Sequence, residues 1–419
     1  MIATLRSRDF ALLWTAGLIS VAGDFALLIA LPLHAYALTG SALATGGVFA
    51  ASLLPQVLLG SVAGVFVDRW DRKRTMVMAD LLRAALLLPL LAVGSPDLLW
   101  LLYLLRAATG VGGLIFDPAE SALLPRLVGE ERLVTANALN ALNNNIGRLV
   151  GPVAGGLLYA AGGLPAVVIV DAASFVLSAT LIMAIRANAR PERDDEPEGG
   201  ASAWGRMVHE WRAGMRLVGQ DCALRTIFIA AGLGFLGEGT FSVGFTPLVI
   251  DVLDGGAAGA GVLASAQAIG GLLAGVLVAR AALKVSPRVL LAGGMIGLGL
   301  TDLGVANAAL LSPPGPAAMA VGSTCMLLAG FPVVSSFAAR DGLLQTLTAD
   351  AFRGRVFGAL GAIQGMAILV GLTLGAAAID AIGVVPVVSV GAAMWIVGGV
   401  FALVRLPGDV GNSAKRSLD

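Results

Sequence analysis

The chain has 419 residues, of which 57% are hydrophobic and only 13% are charged. Soluble domains contain about 25% charged residues, so this composition excludes an ordinary water-soluble protein. The 27 basic and 27 acidic residues give a formal net charge of zero, which excludes recruitment of nucleic acid by a general positive field.

Twelve apolar stretches follow one another, each close to the length of about 20 residues that a membrane span needs. Six are predicted at 10–38, 43–67, 75–94, 98–117, 135–160 and 164–185. After a charged break, six more are predicted at 223–250, 257–279, 288–307, 316–338, 355–379 and 383–404. The sequence therefore predicts an all-α membrane protein with a six-helix bundle at 1–187, a cytoplasmic linker at 188–221 and a second six-helix bundle at 222–419.

Basic residues predict the orientation, because cytoplasmic loops collect lysine and arginine. With the N-terminus inside, all basic residues except Arg83, Arg106 and Arg148 fall on the cytoplasmic side, and those three lie within spans. The opposite loops, such as those predicted at 39–42, 94–97 and 160–165, contain none. We therefore expect a multi-pass protein of the inner (plasma) membrane with both termini in the cytoplasm.

The two halves show weak self-similarity at a spacing of about 211 to 220 residues. Gly23-Asp24 matches Gly237-Glu238, and the spacing of Gly151 and Gly155 recurs at Gly371 and Gly375. Duplicated six-helix bundles produce such a repeat, although chance similarity between glycine-rich helices is the alternative.

The loop after the second span has the sequence GVFVDRWDRKR, which begins at Gly64. It resembles the GxxxDRxGRR loop motif of the major facilitator superfamily, with Asp71 where a glycine is usual. The resemblance implies a conformational latch between the two halves, and the alternative is a basic anchor at the cytoplasmic face. The predicted latch residues are Gly64, Asp68, Arg69, Arg72 and Lys73.

The fourth span contains LYLLRAATGVGG, which resembles the LxxxRxxQGxG motif of drug:proton antiporters, with Thr109 in place of glutamine. Arg106 lies near the middle of this span, where a charge is costly and should face a partner or a wet cavity. The resemblance links this arginine to proton coupling, and a purely structural, paired arginine is the alternative.

The fifth span contains GRLVGPVAGG, which is similar to the antiporter motif GxxxGPxxGG. Small residues four apart allow close helix packing, and an internal proline bends a helix. We predict a gating helix built on Gly147, Gly151, Pro152, Gly155 and Gly156. A polar stripe at helical spacing precedes the bend and consists of Asn137, Asn140, Asn144 and Arg148.

Segments of the first half, including SRDFALLW, TGSALATG and FDPAESALLPRLV, resemble the branch of the superfamily that contains macrolide efflux proteins and the enterobactin exporter. This resemblance implies export of a bulky amphipathic molecule, such as a drug, macrolide or siderophore-like compound, by proton antiport. The alternatives are an importer or facilitator of a small nutrient with the same fold, and a membrane receptor or scaffold that transports nothing.

Two acids within spans, Asp24 and Glu238, occupy repeat-related positions. Burial favours the neutral form of an acid and a nearby arginine favours the carboxylate, so an acid subject to both effects can take up and release a proton. We predict Asp24, Glu238, Arg106 and Arg148 as proton-coupling residues, and structural acids that cap kinked helices are the alternative. Asp80 and Arg83 are predicted to form an i,i+3 ion pair, and Asp171 fits either role.

The remaining predictions concern ligands. Cys222 and Cys325 are far apart, and no phosphate-loop, GxSxG or HExxH pattern occurs, so we expect no metal, cofactor, ATP site or enzyme activity. The expected partners are a small-molecule substrate, protons and the lipid bilayer, and the expected state is a monomer. The predicted substrate-cavity residues are Phe116, Asn144, Phe241, Phe245 and Gln267.

Overall fold

The computed structural model describes residues 2–67, 70–187, 212, 214–281 and 284–408, and within these ranges the regular elements are helices, with no strand. The first half contains α1 (Ile2–Leu5), α2 (Arg8–Thr39), α3 (Ala42–Val67), α4 (Arg72–Leu87), α5 (Leu99–Val128) and α6 (Leu133–Met183). The second half contains α7 (Cys222–Pro247), α8 (Gly256–Ala281), α9 (Pro287–Ala306), α10 (Ala308–Leu311), α11 (Pro316–Leu347), α12 (Asp350–Ile382) and α13 (Val384–Arg405). Short 3-10 segments lie at Leu88–Ala92, Pro96–Leu98 and Glu130–Arg132, and a π-helical turn lies at Leu248–Val252.

Ten helical stretches in the described part of the chain are long and apolar enough to cross a membrane. Within α3, the apolar stretch Ala42–Gln56 is shorter than these ten. Large apolar side chains such as Leu82, Leu273 and Leu374 are more than half exposed. Such apolar surfaces are suited to contact with lipid tails rather than water. A helix can lie in lipid because its backbone hydrogen bonds are made within the helix. The chain is therefore a multi-pass membrane protein.

Helix α6 runs for 51 residues but is broken near its middle. Gly162 and Gly163 have non-helical backbone angles, and Gly163 has φ of 64°, which glycine adopts at little cost. Pro165 follows two residues later. Because proline has no backbone N–H to donate, it fits the first turn of a new helical segment better than the interior of a continuous helix. The break lies within the loop predicted at 160–165, so α6 consists of two helical parts, before and after these glycines.

Asp71 has a local structural role that the loop motif does not indicate. Its carboxylate accepts a hydrogen bond from the backbone N–H of Arg74 at 3.0 Å and caps the start of α4. An acid at this end also interacts favourably with the helix dipole. The aspartate that departs from the family motif is therefore an N-cap.

Replacing Asp71 by alanine should destabilise the protein by about 1 kcal/mol, because one N-terminal N–H of α4 loses its acceptor. Thermal unfolding of the purified protein in detergent measures the change. The matched control is Asp71→Asn, which retains a capping oxygen and should unfold close to the wild-type temperature. Equal destabilisation by both substitutions would show that charge rather than capping matters.

The chain forms two compact units, Met1–Ala201 with Ala257–Ser265, and Ser202–Gly256 with Ala266–Asp419. In the first unit α2 packs on α6, and α4 packs on α5 and α6. In the second unit α7 packs on α12 and α13, and α9 packs on α11 and α13. This matching order of helix partners is the arrangement that a duplicated bundle would produce.

Each unit has its own apolar core. In the first unit, one cluster includes Leu27, Leu31 and Phe175, and another includes Phe10 and Met76. The cluster of the second unit includes Ile227, Leu291 and Trp395. The two clusters of the first unit join side chains of α2, α4 and α6.

Candidate functional site

An ion pair joins α2 and α4 inside the first unit. The Nη2 atom of Arg83 donates to both carboxylate oxygens of Asp24, at 2.7 Å each. The Arg83 side chain is 10% exposed and that of Asp24 is 33% exposed. Asp24 therefore has a counter-charge and remains accessible on one side.

The surroundings of Arg83 fix the position of its guanidinium group. The guanidinium carbon lies 4.1 Å from the centroid of the Phe175 ring on α6, which is the geometry of a cation–π contact. On α5, a Cβ atom at Gly112 would lie 2.5 Å from Cγ of Arg83. The side chain of Arg83 thus packs against both α5 and α6.

The i,i+3 ion pair predicted between Asp80 and Arg83 is wrong. Asp80 is fully buried, and its Oδ2 atom accepts a hydrogen bond from Ser178 Oγ at 2.6 Å. Its Oδ1 atom has no hydrogen-bond partner in the described structure. Tertiary packing decides the outcome, because α6 offers a hydroxyl to Asp80 while α2 offers a carboxylate to Arg83.

Asp171 is a second buried acid beside this ion pair, with 1% of its surface exposed. Its Oδ1 atom lies 3.2 Å from Ser174 Oγ, and its Oδ2 atom has no hydrogen-bond partner among the described residues. A Cβ atom at Gly23 would collide with Asp171 Oδ1 and would lie 2.8 Å from Ser174 Oγ. The glycine beside Asp24 therefore makes room for Asp171.

Arg106 lies in α5 and is held differently from Arg83. Its Nε atom donates to Ser52 Oγ on α3 at 2.7 Å. Asp24, Arg83 and Asp171 are all within electrostatic range of its guanidinium group. The arginine of the predicted span 4 motif thus belongs to the same charged cluster as Asp24, but its hydrogen-bond partner is a serine.

The glycines of the predicted gating helix make close contacts. On α6, Gly147 faces Val21, Gly151 faces Ala22 and Phe25, and Gly155 faces the backbone of Ala26. A second set of contacts joins α6 to Ala257–Ser265, the segment of α8 that belongs to the first unit. Gly156 of α6 faces the carbonyl group of Ala257, and Gly261 of α8 faces the carbonyl group of Pro152. The motif therefore provides close backbone packing on α2 and on the start of α8.

The second unit contains a related but different pair. Glu238 on α7 is within electrostatic range of Asp302 on α9, which is 2% exposed. Helix α9 has one basic residue, Arg288, at its start. Asp302 follows Arg83 by 219 residues, within the spacing of the predicted repeat, so the repeat predicts an acid in the second unit near the position of Arg83 in the first.

Other predicted residues lie apart from the ion pair. Arg148 and Asn144 are exposed on α6, and Gln267 is half-buried on α8. Phe116 is buried in the core cluster with Phe10. The rings of Phe241 and Phe245 are 6.0 Å apart on α7, with Phe241 buried. The roles of these residues in proton coupling or in lining the substrate cavity stay predictions.

The predicted latch is described only in part. Gly64 lies in α3, and Asp68 and Arg69 lie outside the described residues. Arg72 begins α4, and Nζ of Lys73 donates to the carbonyl oxygen of Ile185 at 2.6 Å. Lys73 therefore connects the start of α4 to the chain beyond α6 within the first unit.

Sequence reasoning missed Arg83 as the partner of Asp24 and left the role of Asp171 open. The sequence signal that could have indicated a role for Asp171 is its spacing from Ser174 and Ser178, because steps of three and four residues place all three on one helix face.

No cluster of three or more histidine, cysteine, aspartate or glutamate residues that could hold a metal occurs in the described part of the chain.

Comparison with known proteins identifies the class of protein that has this fold. The sequence model of the Major Facilitator Superfamily matches residues 13–219. An uncharacterized MFS-type transporter of Mycobacterium bovis is 31% identical over 373 residues, which cover 85% of this chain and 81% of that protein. The chain belongs to the major facilitator superfamily and is a transporter, not an enzyme.

Two relatives have names that state an activity. Macrolide efflux protein A of Streptococcus pyogenes is 27% identical over 384 residues, covering 90% of each chain. The multidrug efflux pump Tap of Mycobacterium bovis is 29% identical over 391 residues, covering 90% of this chain and 88% of the pump. Among solved structures, a bacterial homologue of the iron transporter ferroportin has a TM-score of 0.74 at 16% identity and covers 94% of this chain and 98% of its own. That structure supports the fold alone.

Proposed function

We propose that this protein exports a bulky amphipathic small molecule in exchange for protons. Similarity to macrolide and multidrug efflux proteins over about nine-tenths of the chain supports the substrate class. The Asp24–Arg83 ion pair carries the proposal of proton coupling, because charges within membrane helices are costly and typically mark ion pathways.

Asp24 is the proton-binding residue in this proposal. One-third of its side chain is exposed, so water can reach its carboxylate. A proton on Asp24 removes the negative charge that holds Arg83 and converts an ion pair into a weaker contact between a cation and a neutral acid. Protonation therefore changes the contact between α2 and α4, which transport can use to switch conformation.

For a substrate without net charge, the membrane potential can drive this exchange. One charge that crosses 100 mV supplies about 2.3 kcal/mol. At about 1.4 kcal/mol per tenfold ratio, this energy supports a roughly fifty-fold gradient of substrate. One proton per molecule of an uncharged substrate thus supports a gradient of this size.

We also propose that the chain has twelve spans in the inner membrane and both termini in the cytoplasm. The ten long apolar stretches become twelve when α6 is counted as two spans at its glycine break and α3 is counted as one. The distribution of basic residues supports this orientation. Arg106 joins Asp24 in the proposed coupling cluster, and Glu238 is its proposed counterpart in the second unit.

Replacing Asp24 by asparagine should abolish proton-driven export, because the amide keeps the shape of the side chain but neither binds a proton nor pairs with Arg83 as an anion. Uptake of erythromycin and of ethidium into everted membrane vesicles, with and without a protonophore, measures the effect. We expect protonophore-sensitive uptake in the wild type and uptake at background level in the variant.

The matched control is Asp97→Asn, an exposed acid in the turn before α5. It should transport at the wild-type rate. Protonophore-sensitive uptake that persists in Asp24→Asn would exclude Asp24 as the coupling acid. Uptake that is insensitive to the protonophore in the wild type would exclude proton coupling.

A further inference from the structure

We propose that Asp171 is a second proton carrier of the coupling site and that Arg83 exchanges its partner between Asp24 and Asp171. The inference deepens the proposed function, since it concerns the same ion pair. In the state that the structure describes, Asp24 is the carboxylate paired with Arg83 and Asp171 is the neutral acid.

The charges around Asp171 support this assignment. Asp24 on α2, Arg83 on α4 and Arg106 on α5 lie within electrostatic range of Asp171, and Asp80 lies within range of Arg83. Two further acids of α5, the exposed Asp117 and the half-buried Glu120, lie within range of Asp24 or Asp80. If Asp24, Asp80 and Asp171 were all ionised, three carboxylates would share the two arginines Arg83 and Arg106 inside a membrane protein, so at least one of these acids should be neutral.

The hydrogen bonds indicate that Asp171 is among the neutral acids. Asp24 has both carboxylate oxygens bound to the guanidinium group, whereas Asp171 has one oxygen at a serine hydroxyl and one without a partner at 1% exposure. A buried carboxylate oxygen that lacks a donor is strongly unfavourable, and a neutral carboxyl group avoids most of that cost. The ion pair and the proton are thus distributed over two different acids.

The geometry also allows Arg83 to change partners. Phe175 on α6 lies under the guanidinium group at 4.1 Å and is four residues from Asp171 on the same helix face. The absence of a side chain at Gly23 leaves Asp171 Oδ1 directly against the backbone of α2 beside Asp24. Asp171 also lies within electrostatic range of Arg83, so movement of the guanidinium group along the Phe175 ring is the proposed path to the second acid.

The proposed exchange conserves protons and charge. Asp24 binds a proton from water and releases Arg83. The O–H bond of Asp171 then breaks, its proton passes to water, and the new carboxylate pairs with Arg83. One proton enters and one leaves over the complete exchange, so the cluster begins and ends with one ion pair and the same net charge. Between the two steps it carries one additional positive charge, on the released Arg83.

Infrared spectroscopy tests the exchange without any transport measurement. The purified protein is studied at pH 7 in a detergent that has no ester groups, because ester carbonyls absorb near the band of neutral carboxylic acids. The difference between wild type and Asp171→Asn should show one neutral carboxylic acid. The same difference measured in the Asp24→Asn background should instead show one carboxylate, because Arg83 then pairs with Asp171.

The matched control is Asp302→Asn, which removes a buried acid of the second unit. Its difference spectrum should be the same in both backgrounds. A neutral Asp171 in both backgrounds, or an ionised one in the wild type, would overturn the proposal. If Asp171→Asn fails to fold, the comparison of wild type with Asp24→Asn is sufficient. In Asp24→Asn, Arg83 should pair with Asp171 and Asp171 should become ionised, so the absorbance of neutral carboxylic acids should fall by one group. An unchanged band would overturn the inference.

The spectra and the vesicle assay fail independently. Asp24→Asn vesicles that still show protonophore-sensitive uptake would contradict the proposed function, whatever the infrared result. Normal coupling through Asp24 together with an Asp171 band that does not respond to Asp24 would contradict only the exchange of partners.

Discussion

Replacing Arg83 by methionine should abolish coupled export and lower the stability of the protein. Methionine has a similar length and no charge, so Asp24 would lose both hydrogen bonds at 2.7 Å and the cation–π contact with Phe175 would disappear. Removal of one partner of a buried ion pair costs about 3–5 kcal/mol, and the partial exposure of Asp24 places the expected loss at the lower end, about 3 kcal/mol. Vesicle uptake and thermal unfolding in detergent measure the two effects.

Two further variants separate charge from packing. A single nitrogen of Arg83 contacts both oxygens of Asp24, so the ammonium group of Arg83→Lys can replace it and should preserve part of the transport. The double variant Asp24→Asn with Arg83→Met removes the unpaired acid and should recover stability but not transport, which makes the pair a double-mutant cycle. Wild-type transport by Arg83→Met would refute a coupling role for the ion pair.

Most helix positions could be predicted from the sequence because long apolar runs end at glycines, prolines and charges. Helix α2 covers the stretch predicted at 10–38, and Gly40 ends it in the left-handed conformation. The predicted loop at 160–165 coincides with the break at Gly162 and Gly163. These features are local, so sequence periodicity and turn chemistry are sufficient to locate them.

The partners within the charged cluster could not be predicted in the same way. Asp80 and Arg83 have the spacing of an ion pair on one helix, but each is bonded to a different neighbouring helix. The choice depends on which faces of α2 and α6 meet α4, and that arrangement is a property of tertiary packing. Sequence reasoning thus identified Asp24 and Arg106 as charges within spans but not the arginine that pairs with Asp24.

The GPxxGG motif on α6 could be recognised from the sequence, but the helix against which it packs could not. Glycines four apart predict close packing but not the partner helix. The structure provides the partner, because Gly147, Gly151 and Gly155 all face α2, and the atoms nearest to Gly155 belong to the backbone of Ala26. This ridge fixes α2, and therefore Asp24, against α6.

Replacing Gly155 by alanine should destabilise the protein by about 1–3 kcal/mol and reduce transport, because the new methyl group meets backbone atoms of Ala26 that have no side-chain freedom. The matched control is Gly293→Ala on α9, where no atom lies within 4 Å of the added Cβ. Alanine favours the helix at such an open position, so the control should be as stable as the wild type or more stable by up to about 1 kcal/mol. Thermal unfolding in detergent compares the two variants, and vesicle uptake tests whether the displaced α2 still supports export. Equal unfolding temperatures for Gly155→Ala and Gly293→Ala would mean that α2 and α6 are not held in close backbone contact, and Asp24 would then need another means of being positioned against Arg83.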